Sequence, residues 1–181
     1  MNVPPGVTLL LGGARSGKSA LAVQLASQWD GSVTFLATAS IEDDDFAERV
    51  RRHREDRPAS WPTVEESRSV ATALRTVDAS HLVIVDCISL WVSALMSDGC
   101  DEEGVLAAAD ELTDALAART TPTLVVTNEV GMGIHPATPL GREYRDVLGR
   151  VNRRIAERAD RALLVVAGHV LRLRRPVEEL A

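Results

Sequence analysis

Val7-Thr8-Leu9-Leu10-Leu11-Gly12-Gly13-Ala14-Arg15-Ser16-Gly17-Lys18-Ser19-Ala20-Leu21-Ala22-Val23-Gln24-Leu25-Ala26 is the stretch whose reading decides the fold. It opens as a short apolar strand, passes through a glycine-rich turn, and continues as a helix with apolar positions at helical spacing. The turn matches G-x-x-x-x-G-K-[ST] in full, with Gly12, Gly17, Lys18 and Ser19 at the fixed places. Glycines let the backbone of Gly12, Gly13, Ala14, Arg15 and Ser16 curl so that successive N–H groups point inward at a phosphate. The helix that follows adds unpaired N–H groups and the positive end of its dipole. Lys18 can bridge the β- and γ-phosphates, and the Ser19 hydroxyl can hold Mg²⁺. A glycine-rich loop can match so short a pattern by chance, but here it sits between a strand and a helix, where the chemistry needs it. A nucleoside triphosphate is the implied ligand. Lys18 is expected to end a surface loop and to pack little.

Outward from this stretch, 181 residues suit one domain spanning 1–181, long enough to bury a core. At 45% hydrophobic and 25% charged, the composition is that of a soluble globular protein. The formal net charge of −6 argues against a basic surface holding nucleic acid, and so against a DNA motor. Cys87 and Cys100 have neither C-x-x-C spacing nor metal-ligand company, and Cys87 ends an apolar run. A buried thiol and a reducing cytoplasm follow as expectations. No cationic n-region precedes the first apolar run, and no segment is long enough to span a membrane.

Strands are expected at 33–39, 81–87, 123–128 and 161–167, with a last edge strand at 169–173. Helices are expected at 43–56, 70–77, 88–96, 101–119 and 140–159, and 61–66 as a short extended link. Pro58 closes the charged helix, which the acidic run Asp43-Asp44-Asp45 opens. The loop 129–136 is too glycine-rich for regular structure and is expected to line a site. Strands alternating with helices predict an α/β P-loop sandwich: a mostly parallel sheet with helices on both faces and ligands at the carboxyl ends of its strands.

Asp86 ends the most apolar strand and is the candidate metal-supporting acid, expected beside the P-loop. Its plainer alternative is to cap the next helix through the Ser89 or Leu90 N–H. His53 lies in Glu48-Arg49-Val50-Arg51-Arg52-His53-Arg54-Glu55-Asp56-Arg57, with Arg49 and Arg57 four residues to either side on its face. It reads as one member of a solvated, ion-paired helix, or as a nucleophile among cations that neutralise a phosphate under attack. Pattern alone does not decide between them. For His81 a structural role is expected. His135, in the glycine loop, could reach a ligand, and His169 reads as a surface group.

Four motifs together resemble the bifunctional adenosylcobinamide kinase/adenosylcobinamide-phosphate guanylyltransferase family of cobalamin biosynthesis. They are the P-loop; Ala37-Thr38-Ala39 with the helix ending His53-Arg54-Glu55-Asp56-Arg57-Pro58 and then Trp61; Val83-Ile84-Val85-Asp86-Cys87-Ile88; and Val126-Thr127-Asn128-Glu129-Val130-Gly131-Met132-Gly133-Ile134-His135-Pro136 with Arg145-Asp146 and Gly149-Arg150-Val151-Asn152. The P-loop is generic; the Thr-Asn-Glu-Val-Gly and His-Arg-x-x-Arg-Pro runs are far more specific. The resemblance covers nearly the whole chain. Arg52 stands where some members carry a second histidine, and Asp86 where some carry Glu.

The resemblance implies that His53 takes up GMP from GTP as a covalent intermediate. It implies nucleotide contacts at Gly12 to Ser19, Ala37, Thr38, Ala39, Ser40, Arg54, Glu55, Asp56, Arg57, Glu65 and Asp86. Adenosylcobinamide would first be phosphorylated from ATP or GTP with Mg²⁺, and GMP would then be added to the product. It also implies a homo-oligomer, a trimer; the apolar 88–96 segment with Trp91 could form part of a subunit contact, or Trp91 could equally be core, the commoner place for an aromatic on an apolar helix. The alternatives are a small-molecule P-loop kinase without the histidine step and a RecA-like ATPase domain acting on a macromolecule.

Overall fold

A computed structural model describes residues 3–39 and 57–179. The expected helix at 43–56, and with it Ser40, His53, Arg54, Glu55 and Asp56, lies outside the described residues.

In chain order the elements are β1 (Val7–Leu11), α1 (Lys18–Ala26), β2 (Val33–Ala37), β3 (Thr63–Glu65), α2 (Val70–Thr76), β4 (Leu82–Asp86), α3 (Ile88–Ser97) and α4 (Glu102–Ala117). They continue with β5 (Thr123–Val126), α5 (Pro139–Arg158), β6 (Arg161–Val166), β7 (His169–Leu173) and the single turn α6 (Pro176–Glu179). One sheet of seven strands runs β3-β2-β4-β5-β1-β6-β7. Every neighbouring pair is parallel except β6 and β7.

The central strands β1 and β5 are buried along their whole length, which is why VTLLL and TLVV are continuous apolar or β-branched runs without alternation. Successive side chains still divide between the two faces. Leu9, Val83, Val85 and Val125 pack with Trp91, Leu112, Leu148 and Ile155 under α2 to α5. Leu10, Phe35, Ile84 and Leu124 pack with Ala22 and Ala26 of α1 on the other face. Covering both faces this way puts all parallel-strand carboxyl ends on one rim.

One expectation changes. The extended link at 61–66 is a true edge strand: Thr63–Glu65 pairs in parallel with Phe35–Ala37 of β2. Three residues are too few to show a period, and Pro62 beside them removes an N–H, so the sequence carried no strand signal there. Asp86 ends β4, one strand removed from β1 because β5 lies between them, yet its charge still acts on Lys18 of the P-loop. The turn from β6 into β7 needs positive φ at both central residues, Ala167 (49°) and Gly168 (76°), as a tight antiparallel hairpin does. Among the described residues no helix is long and apolar enough to cross a membrane.

Candidate active site

The P-loop joins β1 to α1 as expected, and its two fixed glycines have separate structural reasons. Gly17 caps α1 in the left-handed region, φ 101°, a conformation that a side chain would strain. A Cβ on Gly12 would lie 2.3 Å from the Val165 carbonyl oxygen of β6. Gly17 offers no side chain to cap α1, so the first helical N–H groups are left for an anion at the positive end of the dipole. Gly13, Ala14 and Arg15 are exposed on the loop, Arg15 with φ 59°, while Ser16 and Ser19 are half-buried.

Lys18 departs from expectation. It is the first residue of α1 and only 6% exposed. Its Nζ donates to the Gly13 carbonyl at 2.7 Å and lies 3.4 Å from Ser16 Oγ. Burial lowers its pKa, and the nearby Cys87 and Asp86 partly offset that. The lysine therefore folds back over its own loop, partly desolvated, with a carboxylate in its field. That is a cation prepared for a phosphate, since a phosphate supplies the charge that burial withholds.

Asp86 is half-buried at the end of β4. Cys87, not Asp86, holds the N-cap position of α3 and makes no side-chain cap. The Asp86–Cys87 peptide is cis. Thr38 fastens this corner from β2. Its backbone N–H donates to the Asp86 carbonyl at 3.1 Å. Its hydroxyl donates to the Cys87 carbonyl at 2.7 Å and accepts from the Cys87 N–H at 2.8 Å. Thr38 is wholly buried, so its side chain holds the ends of β2 and β4 together. Ala37 and Ala39, half-buried, flank it on the rim.

Behind this corner runs a polar network that sequence reasoning missed. Thr127 Oγ1 donates to Asn152 Oδ1 at 2.7 Å, and Asn152 Nδ2 donates to the Asn128 carbonyl at 3.0 Å. Asn128 Nδ2 donates to Ser89 Oγ at 3.0 Å, which in turn lies 3.0 Å from Cys87 Sγ. Tyr144 of α5 donates to the Ser89 carbonyl at 3.0 Å. The end of β5 is thereby tied to α3 and α5 on one side. On the other, the Thr127 N–H bonds the Leu10 carbonyl and the Glu129 N–H bonds the Gly12 carbonyl, each at 3.0 Å. Thr127, Asn128 and Asn152 stood in the motifs that carry the resemblance, but nothing in the sequence joined them to Ser89 and Cys87. Burial pushes the Cys87 thiol up to about 11, with the Asp86 charge adding to it. It pushes the Tyr144 hydroxyl up to about 12. Both groups are therefore structural, neutral members of the wall.

Glu65, exposed, ends β3 opposite Ala37. The Arg57 guanidinium stacks on the Phe35 ring of β2, 4.1 Å from its centroid, so the end of the arginine-rich motif reaches the β2 side of the sheet. Trp91 is core, 1% exposed, with its Nε1 donating to the Arg68 carbonyl at 2.9 Å. It is thus no subunit contact. His81 bonds Thr34 Oγ1 at 2.8 Å, a structural role as expected, and His169 is exposed on the hairpin.

No group of three His, Cys, Asp or Glu suited to a metal occurs among the described residues. The oxygen donors at hand are the Ser19 hydroxyl and the Asp86 carboxylate. So sparse a set fits Mg²⁺, which keeps most of its waters and takes its remaining ligands from substrate phosphates. It would not fit a cation needing an all-protein cage.

Residues 8–173 match the family described as cobinamide kinase / cobinamide phosphate guanyltransferase. The bifunctional adenosylcobalamin biosynthesis protein CobP of Pseudomonas aeruginosa is 40% identical over 162 residues, covering 88% of this chain and 92% of that protein. The bifunctional adenosylcobalamin biosynthesis protein CobU of Salmonella typhimurium is 39% identical over 174 residues, covering 88% and 95%. Among solved structures the RadB recombinase superposes with a TM-score of 0.53 at 18% identity, covering 88% of this chain and 73% of that one, a likeness of fold alone. With a match over nearly its whole length, the chain belongs to the cobinamide kinase / cobinamide phosphate guanyltransferase family.

Proposed function

We propose that this single domain carries out two reactions in sequence on a corrinoid. In the first, the hydroxyl of the aminopropanol arm of adenosylcobinamide attacks the γ-phosphorus of ATP or GTP, and the nucleoside diphosphate leaves. Gly12 to Ser19 cradle the phosphates, and Lys18 neutralises the charge that develops on them. The Ser19 hydroxyl and the Asp86 carboxylate would hold Mg²⁺, whose charge would further neutralise the phosphates.

In the second reaction the His53 imidazole attacks the α-phosphorus of GTP and pyrophosphate leaves. The phosphate of adenosylcobinamide phosphate then attacks the same phosphorus. The phosphorus–nitrogen bond breaks, and adenosylcobinamide-GDP forms. Splitting the transfer lets a weak phosphate nucleophile meet an activated donor. Arg54 and Arg57 stabilise the phosphate charge, with Ala37, Thr38, Ala39, Ser40, Glu55, Asp56 and Glu65 around the nucleotide.

The observation that carries the reading is the buried Lys18, seated on the Gly13 carbonyl with Asp86 in its field beneath an uncapped helix N-terminus. The Arg57 stack on Phe35 supports placing the histidine motif beside that rim. Two free cysteines fit a reducing, cytoplasmic setting. GTP labelled at its α-phosphate tests the scheme: with Mg²⁺ the label should appear on the protein and move to the corrinoid when adenosylcobinamide phosphate is added. Label that never leaves the nucleotide contradicts it.

The assembly we infer is a homo-oligomer, a trimer by the family resemblance. The β6–β7 hairpin, with Val166, Val170, Leu171 and Leu173 exposed, supports contact there in place of α3. Light scattering at micromolar concentration should return a multiple of the chain mass. A single chain mass refutes the oligomer.

A further inference from the structure

The loop between β5 and α5, which the reactions above leave without a task, carries the largest exposed apolar side chains near the rim. Ile134 is 97% exposed and Met132 81%, with Leu140 exposed at the start of α5. Exposure of this kind usually marks a disordered tip, but here both ends of the loop are fastened. At its root the Glu129 N–H bonds the Gly12 carbonyl, and Glu129 Oε1 accepts from the Gly131 N–H at 2.6 Å. At its far end Arg142 donates to the Pro136 and Ala137 carbonyls, each at 3.0 Å, and Thr138 caps α5 through the Gly141 N–H. A held loop that displays Ile and Met to water is a surface waiting to be covered.

Beside these apolar groups stands a polar pair. An Arg145 nitrogen lies 2.7 Å from His135 Nδ1. Arginine only donates, so Nδ1 must accept, which leaves Nε2–H as a donor on an exposed ring. Arg145 is itself held by Asp146 at 2.8 Å. Gly131, Arg145, Asp146 and Gly149 line a shallow groove of about 450 Å³ next to the loop.

We propose that Met132 and Ile134 are the docking surface for the corrin macrocycle, with His135 donating to its peripheral carboxamides. The assignment rests on the functional reading above and names the part of the site that reading leaves blank. The phosphoryl acceptor is a hydroxyl at the end of an arm, and that hydroxyl must come to Lys18 and Asp86. The body of the substrate is then left outside the strand ends. The loop that leaves β5 is rooted on the P-loop itself through the Gly12 carbonyl, and β5 lies between β1, which leads into the P-loop, and β4, which ends in Asp86. A corrin presents a broad apolar face edged with amide carbonyls, which is the complement of two exposed apolar side chains beside an N–H donor.

The test is a Met132→Ser/Ile134→Ser double variant of the full chain, with adenosylcobinamide as the probe. Equilibrium dialysis read by the corrinoid's visible absorbance gives its Kd, steady-state kinetics give KM for corrinoid and for nucleotide, and light scattering gives the mass. The Kd and KM for adenosylcobinamide should rise about tenfold or more, as loss of apolar contact from two side chains predicts. KM for nucleotide, the assembled mass and the melting temperature should not change. An unchanged corrinoid Kd overturns the docking surface, and so does a fall in mass, which would make the loop a contact between copies. Wild-type protein that fails to bind adenosylcobinamide at all overturns the functional reading and the docking surface with it.

Discussion

Lys18 is a buried cation whose one firm partner is a carbonyl of its own loop, so its removal should act on chemistry more than on folding. Burial already lowers its pKa, which means the fold bears a cost for keeping it charged. The Gly13 carbonyl would still accept from the Ser16 N–H at 3.2 Å. Lys18→Ala should therefore lose roughly 2–4 kcal/mol of transition-state stabilisation, about 30- to 1000-fold in phosphoryl transfer. Its melting temperature without nucleotide should hold or rise slightly. Near-normal turnover in the folded variant would remove this loop from the catalytic site. The residue types of the P-loop were legible in the sequence because their spacing is set by phosphate geometry. The burial of Lys18 was not, since it depends on where β4 and its Asp86–Cys87 corner fall in space. The bonds that join Ser89, Asn128 and Asn152 were not legible for the same reason: Asn128 and Asn152 stood in the quoted motifs, but only the fold brings them together with Ser89.

At the scale of elements, the corner between β4 and α3 is held by neutral groups, and its response to pH follows. The Cys87 thiol, raised by burial from the ordinary 9.0 to about 11, must stay protonated in the folded state. A raised folded pKa contributes stability that is complete below about pH 9 and is lost as pH rises through about 11, an effect of about 2–3 kcal/mol. Tyr144, raised to about 12, acts in the same sense at higher pH, while the lowered Lys18 partly opposes both. The stability of the wild type should therefore fall between pH 9 and 11, and Cys87→Ala should flatten that fall. Equal pH slopes in the two proteins would show that Cys87 titrates as an exposed thiol does. Elements with a helical period or an apolar run were readable here, down to the four-residue β5, and β3 was not. Residues 70–77, 88–96 and 140–159 give clear helical periods and appear as α2, α3 and α5 within a few residues. The three-residue β3 has no period to read, and it exists because β2 offers an open edge.

For the whole molecule, strand order could not be read from the chain, because alternation of strands and helices fits several orders. The observed order places β5 between β1, which leads into the P-loop, and β4, which ends in Asp86, and so brings the start of the loop after β5 against Gly12. The net charge of −6 bears on the choice of partners, and so does the pairing of charges along α5. The basic face of α5 is largely paired with α4, through Arg154 to Asp110 at 2.5 Å, Arg158 to Asp114 at 3.7 Å and Arg150 to Glu102. Such exposed pairs add little stability, but among the described residues they offset much of the positive charge along α5. What remains is one chain asked to serve two transfers, and in the proposed scheme they separate at His53. The most direct measurement is incubation of wild type and His53→Asn with Mg²⁺ and GTP labelled at the α-phosphate, followed by mapping of the label. Wild type should hold one GMP on His53 through an acid-labile, alkali-stable bond, formed less readily below pH about 6.5, where imidazole protonates. His53→Asn should carry none, yet should still phosphorylate adenosylcobinamide. A His53→Asn protein that forms adenosylcobinamide-GDP would contradict the account.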